Sequence, residues 1–287
     1  MNIATIKSLL EDKLQIRITK KREKVFSYSD YLYASSLRSD PIFLNIGSAD
    51  FKKNGWITLD YMTEQYKSRQ GKSVDINHDL TKNRPISLED NSLDGAYSSQ
   101  VIEHLPYESV ELLVEEMRRA IRPNGFFRIS CPNAYLYCDA LKSNDRLFFS
   151  KMIEYYDEAS RWKKNFTANP KLETIEQLFL NAIASSKSRL TTKEHMCDSD
   201  VRNILYAAKS NAIFLDDICN GVEYDRSNPH FHMTWWDPIK LSDLFTKKGF
   251  SEVSISLHSQ SRVPVYRYLE LNDYRYFHHN LYVEARV

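Results

Sequence analysis

The chain has 287 residues, with 39 Lys and Arg against 38 Asp and Glu, a formal charge of +1. So even a balance argues against a dedicated nucleic-acid binder, which is usually distinctly basic. The apolar set is 42% and charged residues are 27%, which is too apolar for a disordered chain. Only 7 glycines occur, so a glycine at a motif position carries more information than usual.

No run of about 18 apolar residues is present, so no integral membrane segment is expected. The first residues lack the unbroken apolar stretch of a secretory signal. The four cysteines, Cys131, Cys138, Cys197 and Cys219, are widely spaced. With no CxxC pair, no metal centre is expected from them. Few cysteines in a long chain fit reduced thiols in a cytoplasmic protein.

Residues 1–40 read as an N-terminal helical segment. Ile3, Ile6, Leu9 and Leu10 recur at helical spacing ahead of Lys20, Lys21, Arg22 and Lys24. Such a basic amphipathic helix could touch a membrane or an acidic partner, or pack on the core with a solvated charged face. The second reading is preferred.

From Pro41 the pattern changes. Short β-type runs occur at Ile42–Ile46, Trp56–Asp60, Val74–Ile76, Leu93–Tyr97 and Phe126–Ser130. Residues 107–121 carry Val110, Leu113, Val114, Met117 and Ile121 on one helical face, and Pro123-Asn124-Gly125 is expected to break that helix. Strands alternating with helices indicate an α/β fold with a mostly parallel sheet. Residues 134–228 are mostly polar and helical, with Leu172, Ile175, Leu178, Phe179 and Ile183 at spacings of three and four. They read as a helical insert within a core made of 41–133 and 229–287. A helix at 238–248, ended by Gly249, and strands at Ser251–Leu257 and Asn280–Ala285 return the chain to the sheet.

A doubly wound sheet binds ligands outside the carboxyl ends of its strands. Here those ends carry Gly47-Ser48, Asp60, His78-Asp79 and Ser98-Ser99-Gln100. A glycine after the first strand lets backbone approach a ligand closely. A carboxylate ending the next strand suits the two hydroxyls of a ribose, although a lone Asp there is more often a solvated strand end. Together the four ends predict one nucleoside-shaped pocket. There is no GxGxxG, and Gly47 lies 13 positions before Asp60, short of the ~20 of a nicotinamide site. A dehydrogenase is therefore disfavoured.

Three stretches, LNIGSADFKKNGWITLDY, DINHDLTKNRPISLEDNSLDGAYSSQVIEHL and LLVEEMRRAIRPNGFFRISCPN, resemble the class I S-adenosylmethionine-dependent methyltransferases, in the type 11-like branch. The resemblance covers 41–133 well and 250–286 loosely. It implies a Rossmann-like sheet of about seven strands and S-adenosyl-L-methionine as cofactor. Gly47 and Ser48 would line its methionine part, and Asp60 would hold the ribose with Tyr61 near the adenine. Asp79 and Leu80 would meet the adenine edge, Ser98 and Gln100 would border the sulfonium, and His104 would face the active site or support the loop there. Two departures stand out. Ala49 replaces a second glycine common in that loop. Only residues 47–55 join the first two strands, against the dozen or so a crossover normally needs, so the first helix is expected to be one turn or replaced.

For the acceptor, the run PHFHMTWWD at 229–237 is the best candidate. His230 and His232 could act as base or orienting group, and Trp235 and Trp236 could stack on a sugar or aromatic ring. The alternative is that these residues pack the insert onto the core. A zinc reading of His-x-His lacks an evident third ligand. His195 is a second candidate on the insert. Arg161, Trp162, Lys163 and Lys164 suit either a phosphate contact or a solvated helix face. Branch members often methylate sugars or sugar-linked phosphates in cell-surface polysaccharide biosynthesis. The expected function is therefore O-methyl transfer to a glycan-type or other small-molecule acceptor, without nucleic acid. The rivals are a methyltransferase for another small metabolite or lipid, and an inactive binding partner that keeps the fold.

Overall fold

The computed structural model describes residues 42–49, 51, 53–62, 74–150, 153, 169–267 and 278–287. The expected N-terminal helix and the Arg161–Lys164 group lie outside them. Two compact units divide the chain, Met1–Asp40 and Pro41–Val287, and the described residues all belong to the second.

The apolar runs become strands because both faces of the sheet are covered, which favours near-continuous β-branched and aromatic sequence. β1 (Phe43–Ile46) is buried along its whole length. It lies between β2 (Trp56–Asp60) and β4 (Leu93–Ser99), both parallel to it. β3 (Ile76–Asn77) flanks β2, and β5 (Ile121–Pro132) flanks β4. β7 (Asn280–Arg286) runs antiparallel between β5 and the edge strand β6 (Ser251–Ser256). The full order is β3-β2-β1-β4-β5-β7-β6. The expected seven-stranded, mostly parallel Rossmann-like sheet is therefore present. The order reverses between β1 and β4, and the crevice of such a sheet opens there, past the strands' carboxyl ends.

Helix α1 (Tyr107–Ala120) turns Val110, Leu113, Val114 and Met117 into the core. The DNSLDG stretch explains itself through α1 and β5. Arg119 donates to Asp90 and Glu116 and to the carbonyls of Ile86 and Leu88. Asp94 pairs with Arg122 and accepts from the Ile42 amide at 2.6 Å. Asp90 therefore ties the turn before β4 to α1, Asp94 ties β4 to β5, and neither lines the crevice.

One expectation needs correcting. Pro123-Asn124-Gly125 does not separate helix from strand. α1 stops at Ala120, and the three residues lie inside β5, where pairing slips from Leu93↔Ile121 to Gly95↔Phe126. Asn124 takes a left-handed φ of 69°, so the extra residues form an irregular bulge. Between β1 and β2 the described residues form turns, with Phe51 N–H donating to Ser48 O and Trp56 N–H to Lys53 O. A tight link thus stands where a longer crossover helix would be.

Residues 134–228 contain α2 (Ala134–Lys142), α3 (Ile175–Ile183), α4 (Asp198–Ala207) and α5 (Asn211–Cys219). Their apolar faces meet in a cluster of their own, including Tyr137, Leu141, Phe149, Leu178, Phe179 and Phe214. α6 (Pro238–Lys247) then returns to the sheet. Asp237 caps its first turn, Pro238 opens it, and Phe245 packs on Phe127 and Phe250. Among the described residues no helix is long and apolar enough to cross a membrane.

Candidate functional site

At the end of β1 the chain turns sharply. Gly47 has φ +70°, and a Cβ there would sit 2.3 Å from Val101 Cγ2, so neither the backbone angle nor the space admits a side chain. Its N–H donates to Leu59 O at 2.8 Å, tying the loop to β2. Ala49 also takes a left-handed φ, 48°, and its N–H donates to Asp60 Oδ2 at 2.8 Å. Asp60 Oδ1 accepts from Tyr61 N–H at 2.7 Å. The carboxylate is thereby fixed in orientation, and a carboxylate oxygen can accept more than one hydrogen bond.

Past β3, Asp79 caps a short 3-10 turn. Its Oδ1 accepts from Thr81 N–H at 3.0 Å and from the Thr81 hydroxyl at 2.6 Å. Its Oδ2 accepts from Arg226 at 3.3 Å, a contact from the far end of the helical region. Burial lowers the pKa of neighbouring His78, with Arg84 acting in the same direction.

After β4, Gln100 adopts φ +55° while its N–H donates to Ser130 O. Its Nε2 is buried and has no hydrogen-bond partner, as are the hydroxyls of Ser48, Ser98 and Ser99. Buried polar groups are normally satisfied; of these four at the ends of β1 and β4, only Gln100 belongs to a residue that lines the cavity.

A cavity of about 260 Å³ opens here. Gly47, Asp60, Tyr61, Asp79, Leu80, Gln100 and His104 all line it. Ser48 and Ser98 are buried close by in sequence but do not form its wall. His78, named with Asp79 at its strand end, lines the cavity too, and so do residues that the sequence reading did not single out for it: Ala49, Thr81, Val101, Leu105, Tyr224 and Pro229. Thr81 lies two residues after Asp79 and was findable on that ground. Tyr224 and Pro229 come from the end of the helical region and carried no signal for the cofactor side.

The turn after β4 that brings His104 and Leu105 to the wall is held by the PHFHMTWWD run. Met233 and Thr234 donate their N–H groups to Glu103 O, at 2.8 and 3.3 Å. The Thr234 hydroxyl donates to Leu105 O at 2.7 Å. His104 Nδ1 lies 3.2 Å from Phe231 O, and His232 Nδ1 lies 2.6 Å from Ala182 O. A carbonyl can only accept, so Nδ1 carries the proton in both neutral rings and Nε2 keeps its lone pair. The two rings meet edge to face, centroids 4.7 Å apart. Burial drives the pKa of His104 well below its ordinary value, helped by His232, and burial takes His232 down to about 4. Both rings are therefore neutral at pH 7. Glu103 is 2% exposed, with Oε1 3.9 Å from His104 Nε2.

Other acceptor-side candidates fall elsewhere. Trp236 is 1% exposed. It stacks on Tyr107 and donates to Ile102 O, so it is core and cannot stack on a substrate. Trp235 is 7% exposed, donates to Asp216 and lies under the Lys240 ammonium, 3.7 Å from the ring centroid. It packs into the helical cluster and away from this cavity. His195 sits on an exposed loop, its Nδ1 3.0 Å from Lys193 O. The His230 ring packs on Phe231 and is not part of the wall. The apolar surface of these rings was worth more to packing than to recognition.

Residues 54–129 match the family model described as a methyltransferase domain. No curated protein matches the chain. Among solved structures, the chain is similar to an S-adenosylmethionine-dependent methyltransferase from Archaeoglobus fulgidus (14% identity, 99% of this chain, 94% of that one, TM-score 0.41). A methyltransferase from Mesorhizobium loti is comparably distant (14%, 88%, 94%, TM-score 0.39). So is phosphoethanolamine N-methyltransferase 2 from Haemonchus contortus, solved with S-adenosyl-L-methionine (10%, 88%, 50%, TM-score 0.38). The matched segment runs from the turn before β2 into β5 and carries Asp60, Asp79, Gln100 and His104. With the sheet order, the match supports a Rossmann-like methyltransferase fold for this core and indicates S-adenosyl-L-methionine as its cofactor.

Proposed function

We propose that the chain transfers a methyl group from S-adenosyl-L-methionine to an oxygen of a sugar or sugar-linked phosphate, in the assembly of cell-surface polysaccharide. The observation that carries the transfer is the convergence of Asp60, Asp79, Gln100 and His104 on one cavity at the switch in strand order. When bound, the cofactor supplies an electrophilic methyl on a positively charged sulfur. The residues present fit such a group. The oriented Asp60 carboxylate can accept from two ribose hydroxyls, Asp79 stands at the neighbouring strand end for an adenine amino group, and the orphaned Gln100 amide offers a donor.

His104 lines the wall, as His78 does, and it is the one tied to the returning run at 229–237. With Nδ1 committed to Phe231 O, its Nε2 lone pair can receive the proton of an acceptor hydroxyl. A sugar hydroxyl gains from that service, whereas a phosphate oxygen, already ionised, needs no base. The sugar class is favoured by the resemblance to the polysaccharide branch. A cytoplasmic setting is consistent with four free thiols. Ala49 does not argue for an inactive scaffold, because the loop accepts it in the left-handed region and uses its N–H on Asp60.

The test is methyl transfer from methyl-labelled cofactor to a panel of nucleotide sugars, phosphosugars, lipids and small phenols. Label on a sugar or sugar-phosphate oxygen is the expected result. Label only on a lipid or phenol would overturn the acceptor class, and no transfer to any member would favour the binding-partner reading.

A further inference from the structure

We propose that Glu103, His104 and His232 form a binding site for a divalent transition-metal cation at the acceptor end of the cavity. One ligand atom from each lies within 4.8 Å of the others. Two imidazoles and a carboxylate are a donor set that zinc and non-haem iron sites share. The nitrogen in that set selects against magnesium and calcium, which favour all-oxygen shells.

The outer shell is what separates this cluster from a chance meeting of side chains. Metal-bound histidines characteristically donate their other ring N–H to a carbonyl or carboxylate, which fixes the ring and its tautomer. Both histidines here already do so, His104 to Phe231 O and His232 to Ala182 O. His232 is further held by its own N–H, which donates to the Ser185 hydroxyl at 2.9 Å. Glu103 is positioned through its backbone, whose carbonyl accepts from Met233 and Thr234. Three separate stretches of chain therefore build the site: the turn after β4 and the returning run at 231–234 supply the ligands, and the end of α3 supports them.

Ligand atoms around a tetrahedral ion at ~2.1 Å stand about 3.4 Å apart. The Glu103–His104 pair, at 3.9 Å, must then close by about 0.5 Å, and no pair by more than about 1.4 Å. Three protein ligands leave a coordination position open. Since His104 lines the cavity, an acceptor hydroxyl can take that position, where the cation lowers its pKa. With the ion bound, His104 serves as ligand and the ion replaces it in activating the oxygen. That consequence rests on the methyl-transfer reading; the cation site does not. In sequence, a zinc reading of His-x-His lacked a third ligand, and no metal was expected. The fold supplies Glu103 and His104 and leaves His230 out.

The full chain, stripped with chelator and dialysed, is titrated with Co²⁺ by visible absorption and with Zn²⁺ by calorimetry. One equivalent of Co²⁺ with ligand-field bands of a four- or five-coordinate ion is expected. Glu103→Gln and His232→Ala should each weaken Zn²⁺ binding by at least about 10–100-fold, since outer-shell losses alone cost that much. Glu103→Gln keeps the side-chain shape and is the deciding variant if His232→Ala fails to fold, as judged by circular dichroism. No stoichiometric uptake by the wild type would overturn the site. So would undiminished uptake in Glu103→Gln, which would mean ions held elsewhere. S-adenosyl-L-methionine titrated into the same stripped sample reports separately on the cofactor pocket.

Discussion

At the Asp60 end of the cavity the carboxylate is held by the amides of Ala49 and Tyr61, 11 residues and 1 residue away. At the His104 end the ring leans on Phe231, 127 residues away, and the Leu105 carbonyl is bonded by Thr234, 129 residues away. One end is a local device that any chain with the right strand endings can build. The other exists only once the helical region has folded and returned residues 229–237 to the sheet. Arg226 on Asp79, across 147 residues, is where the second construction reaches over the first. The division suits the proposed transfer, in which local motifs would meet the cofactor and the long-range part would meet the acceptor.

Changes at either end should separate the two roles, and the largest effect belongs at the long-range end. His104→Gln should lower turnover on whichever acceptor is used by about 10²–10⁴-fold, the usual contribution of a positioned base, and leave cofactor affinity within a few-fold. Turnover near wild type would remove the acceptor role from that end. Next, Asp60→Ala should weaken both S-adenosyl-L-methionine and S-adenosylhomocysteine by about 1.5–3 kcal/mol in calorimetry, the scale of a lost charged hydrogen bond. An unchanged affinity would mean that the local device holds something else.

Smaller effects test how each end is held. Thr234→Val removes the hydroxyl on Leu105 O and should cost about 1 kcal/mol in denaturant unfolding, with turnover falling more than cofactor affinity. An equal loss of both would show that the two ends are not separable. Smallest, Ala49→Gly should stabilise the fold by about 0.5–1 kcal/mol, because a Cβ at φ 48° is strained. A destabilised variant would show that the loop uses the alanine methyl for packing.

The same division explains what could be read from the chain. Strand endings are written in contiguous residues, so Gly47, Asp60, Asp79 and Gln100 were visible, and so was the pocket they share. The tight link between β1 and β2 was visible from its length. The acceptor end was visible only as a set of side chains. His104 and His232 were named, but nothing in their neighbourhoods says that their rings meet or that Glu103 faces them. Trp235 and Trp236 misled because a large ring looks the same in sequence whether it is destined for a ligand or for the core. The DNSLDG carboxylates lie in the cofactor-side motif, yet Arg119 and Arg122, from α1 and β5, claim them. Pro123-Asn124-Gly125 looked like a stop, but β5 absorbs it as a bulge.

The most direct measurement is a crystal structure of the chain with S-adenosylhomocysteine. The expected density places the ribose hydroxyls on the Asp60 carboxylate, the adenine beside Asp79 and Leu80, and the sulfur end toward Gln100 and His104. A nucleoside bound away from these residues, or none at saturating concentration, would contradict the account.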